Sequence, residues 1–369
     1  MGYDKKDLKM KMKSLFAIAL ALFCVSCERN RKEGGLYHID VGSARVVALE
    51  VPDSALLRLE STDKSAISDI CNLERIGERY YIHSGGNVRV FGTDGRYCFD
   101  IGSMGKASNE YLDISNFYAK GDTICIYDFM SRGLVRYDSE GHFLDRVELP
   151  ANMPEENVVP NHVYETEAGY VFVNSYGGDY RSVTCLSKTD NAFKSILPVE
   201  GRCISSGLSF PDDVCLCGDN VFYWEPLCDT LFVCEGQGIR PYCHLDMGKD
   251  GLPYDVTQMD VYGRIDYVNR SHSRGKWVAG AIRYYSAFCD TLFFVFNDSR
   301  GGVSVGVMDM KTHGLEVYDI HYKSSSLKTV PFLKIDGNDI YLAAEDADNP
   351  DGNPSLVIMD ADAFLSSGN

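Results

Sequence analysis

One local pattern recurs six times: a short apolar and aromatic strand, a polar turn, then a second strand. The copies are Tyr80-Tyr81-Ile82, Ile124-Cys125-Ile126, Tyr170-Val171-Phe172, Val221-Phe222-Tyr223, Phe293-Phe294-Val295 and Ile340-Tyr341-Leu342. Measured at the third residue of each, the steps are 44, 46, 51, 72 and 47 residues. Four of the five lie near one period, and the fifth carries an insertion. The first two copies also share a hairpin signature, Asp94-Gly95 in one and Glu140-Gly141 in the next, each flanked by strand residues. Helical periodicity is scarce, which argues against an α/β fold.

Propeller blades of four antiparallel strands repeat at about 40–50 residues. The pattern therefore predicts an all-β chain, a six-bladed β-propeller over residues 37–365. The sixth copy is short, with ten residues after Met359. Its missing outer strand is expected from the N-terminus, either Tyr37 to Val41 or Val46 to Val51. Closure of that kind removes exposed sheet edges. The 72-residue step holds an insertion at about 247–276, read as a segment with a short helix lying on one face of the disc.

Residues 1–26 read as an export signal. Lys5, Lys6, Lys9, Lys11 and Lys13 precede an apolar run from Leu15 to Val25, too short to span a bilayer. The run ends in Ser26-Cys27. A small residue before a Cys at this point resembles a bacterial lipobox, which implies lipid attachment to Cys27. Residues 27–36 are then expected to be a polar tether. The location that follows is the bacterial cell envelope, at the outer membrane, facing either the periplasm or the surface.

The chain carries 36 Lys+Arg against 53 Asp+Glu, a net charge of −17. That balance excludes a nucleic-acid partner and leaves acyl chains, not surface charge, to hold the body to a membrane. Eleven Cys remain after Cys24 and Cys27, an odd number, and several lie in strand-like apolar runs. They read as small core residues, in a reducing setting or with a few incidental disulfides.

The stretches Val90-Phe91 through Glu110-Tyr111, Trp224 to Phe232, and Arg240-Pro241-Tyr242 to Leu252-Pro253 resemble six-bladed β-propeller lipoproteins of Bacteroidetes. Those are related in architecture to NHL-type and TolB-like propellers. The resemblance implies the fold and the lipidation, and no catalytic set.

Propeller sites sit where loops converge at the channel mouth. The polar residue after each repeated strand falls at an equivalent place: Ser84, Asp128, Asn174, Glu225, Asn297 and, one residue later, Glu345. An oxygen-rich ring suits Ca²⁺ or sugar hydroxyls. The expected ligand site is Asp128, Glu225 and Asn297, with Trp224 as a wall. His83 and His162 are candidate general bases, and Trp277 a candidate stacking residue. No motif names a reaction. The expectation is a monomeric binding or scaffolding module for a glycan, peptide or partner protein. The alternative is a metal-assisted hydrolase or lyase at the channel mouth.

Overall fold

The computed structural model describes residues 30–366 except 34–35, 150–158, 166–168, 177–181, 190–192, 196–213, 218–219, 225–226, 228–229, 236–237, 258 and 260. The described residues form six sheets, each built on an antiparallel meander. The first holds Asn72–Ile76, Arg79–Ser84, Asn87–Gly92 and Tyr97–Ile101. The second holds Asn116–Lys120, Thr123–Asp128, Gly133–Asp138 and Phe143–Glu148. The third runs from Val159–Glu165 to Phe193–Ser195, and the fourth meander from Val214–Cys217 to Gly238–Asp246. The fifth meander runs from Gly280–Phe288 to Leu315–Tyr322, and the sixth sheet holds Leu327–Asp336, Asp339–Asp346 and Ser355–Asp360.

Every repeated apolar triplet lies on the second strand of a sheet. These strands are covered on both faces, so they read as continuous apolar runs and not as alternation. Ile124, Cys125, Ile126 and Tyr127 are all fully buried, as are Leu292 to Val295 and Ile340 to Ala344. Neighbouring sheets supply the cover. Tyr81 and Val90 of the first sheet pack with Phe117 and Ile126 of the second. Tyr118 and Tyr127 of the second pack with Val163 and Phe172 of the third. Phe222 and Trp224 of the fourth meet Tyr285 and Phe294 of the fifth. Phe293 of the fifth, Tyr341 of the sixth and Ile82 of the first share one cluster, so the last sheet packs on the first.

The N-terminal stretch departs from expectation. Leu36–Asp40 pairs in parallel with Gly238–Asp246 of the fourth sheet, with Tyr37 opposite Cys243. Arg45–Val51 pairs in parallel with Leu315–Tyr322 of the fifth, with Val46 opposite Val317. Neither completes the sixth sheet. Leu56–Leu57 does, antiparallel to Ser355–Asp360. One strap thus covers three outer edges in succession. Part of the expected tether is itself a strand: Asn30–Glu33 pairs with Leu36–Asp40 at the rim of the fourth sheet. Edge pairing uses backbone groups alone and needs no apolar period. The insertion carries two helices, Tyr254–Thr257 and Val261–Ser273.

Candidate functional site: the loop face

Strand direction decides which loops share a face. In each meander the second strand ends where the third begins, the first begins and the fourth ends. Ser84, Asp128 and Asn297 close second strands, so they mark one end of their sheets. The loops 102–115, 129–132 and 298–302 and the insertion after Asp246 leave from that same end.

Asp128 is fully buried and engaged. Its Oδ2 accepts hydrogen bonds from Leu112 N at 3.1 Å, Ser131 Oγ at 2.5 Å and Arg146 Nη2 at 3.0 Å. Its Oδ1 accepts from Ser131 N at 3.3 Å. Arg146 also donates to Glu110 O at 3.0 Å. Burial raises the carboxyl pKa, but the bonds from Ser131, Leu112 and Arg146 outweigh it and hold it below the usual carboxylate range. Ser84 does the same work in the first sheet. Its Oγ accepts from Ser68 N at 3.2 Å, and both pairs are sixteen residues apart in sequence. In these two sheets the repeated polar position anchors the loop that enters the sheet.

Of the expected ligand residues, Asp128 is therefore already engaged within the protein. A buried, fully bonded Asp128 offers no oxygen to a cation or sugar without giving up its bonds. Trp224 is only 3% exposed, packed against Tyr285 and Phe294 in the core. Its aromatic run made it look like a wall, and the same run buries it between the fourth and fifth sheets. Asn297 lies half-buried at the end of its strand. Glu225 lies outside the described residues. Glu345 is exposed and lies opposite Lys328. Among the described residues, no three His, Cys, Asp or Glu side chains stand together with metal-ligand geometry.

The candidate bases are structural neighbours of the inner strands. His83 packs edge-on against Phe117, and burial pushes its pKa down to about 4 despite the charge of Asp69. His162 is buried on the first strand of the third sheet. It stands opposite Val173, as Asn116 stands opposite Tyr127 and Asn72 opposite His83. The two Asn residues stitch adjacent sheets: Asn72 Nδ2 donates to Phe117 O at 2.9 Å, and Asn116 Oδ1 accepts from Val163 N at 3.0 Å. Cys125 and Cys243 are buried core thiols, pushed up to about 11 and about 12 by burial.

Among its polar residues the loop face also exposes large apolar side chains. Met104 is 59% exposed, Met130 64% and Tyr254 80%, with Leu112, Met259, Tyr262 and Trp277 also open. Among the described residues, the other exposed large apolar side chains are Val46 on the strap and Phe143 and Leu144 at the opposite end. The seven fall into two groups. Met104, Leu112 and Met130 sit over the first and second sheets, and Asp128 ties the loop of Leu112 to the turn holding Met130. Tyr254, Met259, Tyr262 and Trp277 belong to the insertion. Trp277 rests on His272, ring centroids 4.3 Å apart. Single exposed Met residues have no period, so only the fold reveals that their loops leave the same end of neighbouring sheets.

None of the curated proteins matches the chain. Two solved structures share its fold. One is a protein of Bacteroides fragilis NCTC 9343 classed as exported, at TM-score 0.55 and 16% identity, covering 85% of this chain and 99% of that one. The other is a member of the DUF4221 family from Bacteroides vulgatus ATCC 8482, at TM-score 0.51 and 10% identity, covering 82% of this chain and 95% of that one. A family model described as a domain of unknown function, DUF4934, matches residues 51–346, most of the chain, from the end of the strand Arg45–Val51 to the second strand of the sixth sheet; the protein belongs to the DUF4934 family.

Proposed function

We propose that the chain is an exported protein, lipid-anchored at Cys27, whose six sheets close into a six-bladed β-propeller and whose loop face binds a peptide or partner protein. The observation that carries the binding reading is the exposed patch of Met104, Leu112 and Met130 on loops that Asp128 and Arg146 lock together. Exposed apolar groups gathered on one face mark an interaction surface. Unbranched Met side chains adapt to varied partners, which suits a peptide better than a sugar ring. The packing of the sixth sheet on the first supports closure. The signal-like N-terminus and the exported Bacteroides fragilis relative support the location.

A peptide and glycan array probed with residues 28–369 tests the reading. Binding to peptides that is lost in the Met104→Lys, Met130→Lys double variant supports it. Binding confined to glycans, or unchanged in the variant, contradicts it.

A further inference from the structure

The second exposed group has a different neighbour. Asn30–Glu33 runs antiparallel to Leu36–Asp40, with Asn30 opposite Ile39, and Leu36–Asp40 runs parallel to Gly238–Asp246, with Ile39 opposite Leu245. The chain before Asn30 therefore leaves the rim of the fourth sheet at the loop-face end. Only Glu28 and Arg29 separate Cys27 from Asn30, three Cα steps and a span of at most about 10 Å. The insertion leaves the same end of the same sheet, directly after Asp246.

The insertion is itself rigidly seated. Met247, Val256 and Val278 are buried, Ala279 N donates to Asp250 O at 2.7 Å, and the buried Arg264 donates from Nε to Met259 O at 3.0 Å. On that base Tyr254, Met259 and Tyr262 are exposed, and Trp277 is partly covered by His272 and the Gly301 turn. Residues 247–277 hold five cations, Lys249, Arg264, Arg270, Arg274 and Lys276, against four carboxylates, Asp250, Asp255, Asp260 and Asp266, so the segment is close to neutral in a chain of net charge −17, with Arg274 and Lys276 exposed beside Trp277. Tyr and Trp favour the headgroup layer, and cations favour anionic lipid.

We propose that the insertion docks on the bilayer that holds the anchor, with Tyr254, Met259 and Tyr262 in the headgroup layer. This rests on the lipidation of Cys27. It sets the loop-face side of the fourth and fifth sheets toward the membrane and the end that carries Phe143 away from it.

The test uses the full lipoprotein reconstituted into vesicles of phosphatidylethanolamine and phosphatidylglycerol, with acyl chains brominated near the headgroup. Tyr254→Trp and Phe143→Trp are compared, each as a difference from the parent chain. The expected result is a blue-shifted, quenched signal for Tyr254→Trp and an unquenched signal for Phe143→Trp. Vesicle flotation is read in parallel, with Cys27→Ala as control. Protein that floats while neither label is quenched, or while both are quenched equally, overturns the docking and leaves the anchor standing. Parent protein that does not float overturns both.

Discussion

Arg146 and Asp128 meet at 3.0 Å across the second sheet, from its fourth and second strands, and between them they hold both loops that carry the exposed patch. Neither side chain presents a free surface to a ligand. Their role is to keep Leu112 and Met130 in a fixed relation.

Removing that carboxylate should be costly. Asp128→Ala leaves the Arg146 guanidinium and the Leu112 and Ser131 donors without their acceptor in a buried setting. A loss of about 3 kcal/mol is expected, well above the cost of an ordinary turn substitution. Urea unfolding of the two proteins measures it. The sign with pH follows from the depressed pKa: the carboxylate's contribution is present above about pH 4, the unfolded value, and fades as pH falls through the lower folded value. Asp128→Asn should lose that part of the acid dependence.

His83 predicts a second pH effect at a higher range. Its folded pKa of about 4 lies below the ordinary histidine value, so the neutral ring is the folded form. Stability is then full above about pH 6.5, the unfolded value, and declines as pH drops toward about 4. Replacing His83 by Phe should flatten the unfolding midpoint across that interval. An NMR titration in which the His83 ring protonates near pH 6.5 would contradict the burial argument.

Glu74 and Lys334, 260 residues apart in sequence, stand 3.1 Å apart, and Arg75 meets Asp339 at 2.6 Å. Above them Asn353 accepts from Ile67 N at 2.8 Å and donates to Glu60 O and Ser65 O. These contacts tie the sixth sheet to the first. Asn353→Ala should cost about 1–3 kcal/mol, since it takes the partner from Ile67 N and Ser65 O, while Glu60 O keeps Ser65 Oγ at 2.7 Å. Calorimetry is expected to show a lower midpoint with a single transition retained.

Gly301 lies at φ +84° in the turn of the fifth sheet, and a Cβ there would meet the Trp277 indole at 2.5 Å. Gly301→Ala should displace Trp277 and shift its emission while Trp224, buried in the core, reports no change. A spectrum identical to the parent's would mean that Trp277 does not rest on this turn.

The repeat was legible because doubly covered second strands must be apolar throughout, and Tyr80-Tyr81-Ile82 or Phe293-Phe294-Val295 announce that directly. The strap was legible only in part. Val46 to Val51 alternates as an edge strand should, but period alone does not say which of six similar edges it joins. The site was the least legible. Asp128 and Ser84 recur at one position because each anchors a loop, and a buried anchor and an exposed ligand carboxylate have the same sequence signature. Trp224 and Trp277 differ in exposure because one lies on a central strand and the other on the insertion.

The most direct measurement compares two faces of one molecule. Peptide-array binding of residues 28–369 is recorded for the parent, for Met104→Lys with Met130→Lys, and for Phe143→Lys with Leu144→Lys at the opposite end. Both pairs are exposed, so both variants should fold. Loss of binding in the first variant alone is the predicted result. Loss in the second alone, or equal binding by all three, would contradict a loop-face binding module.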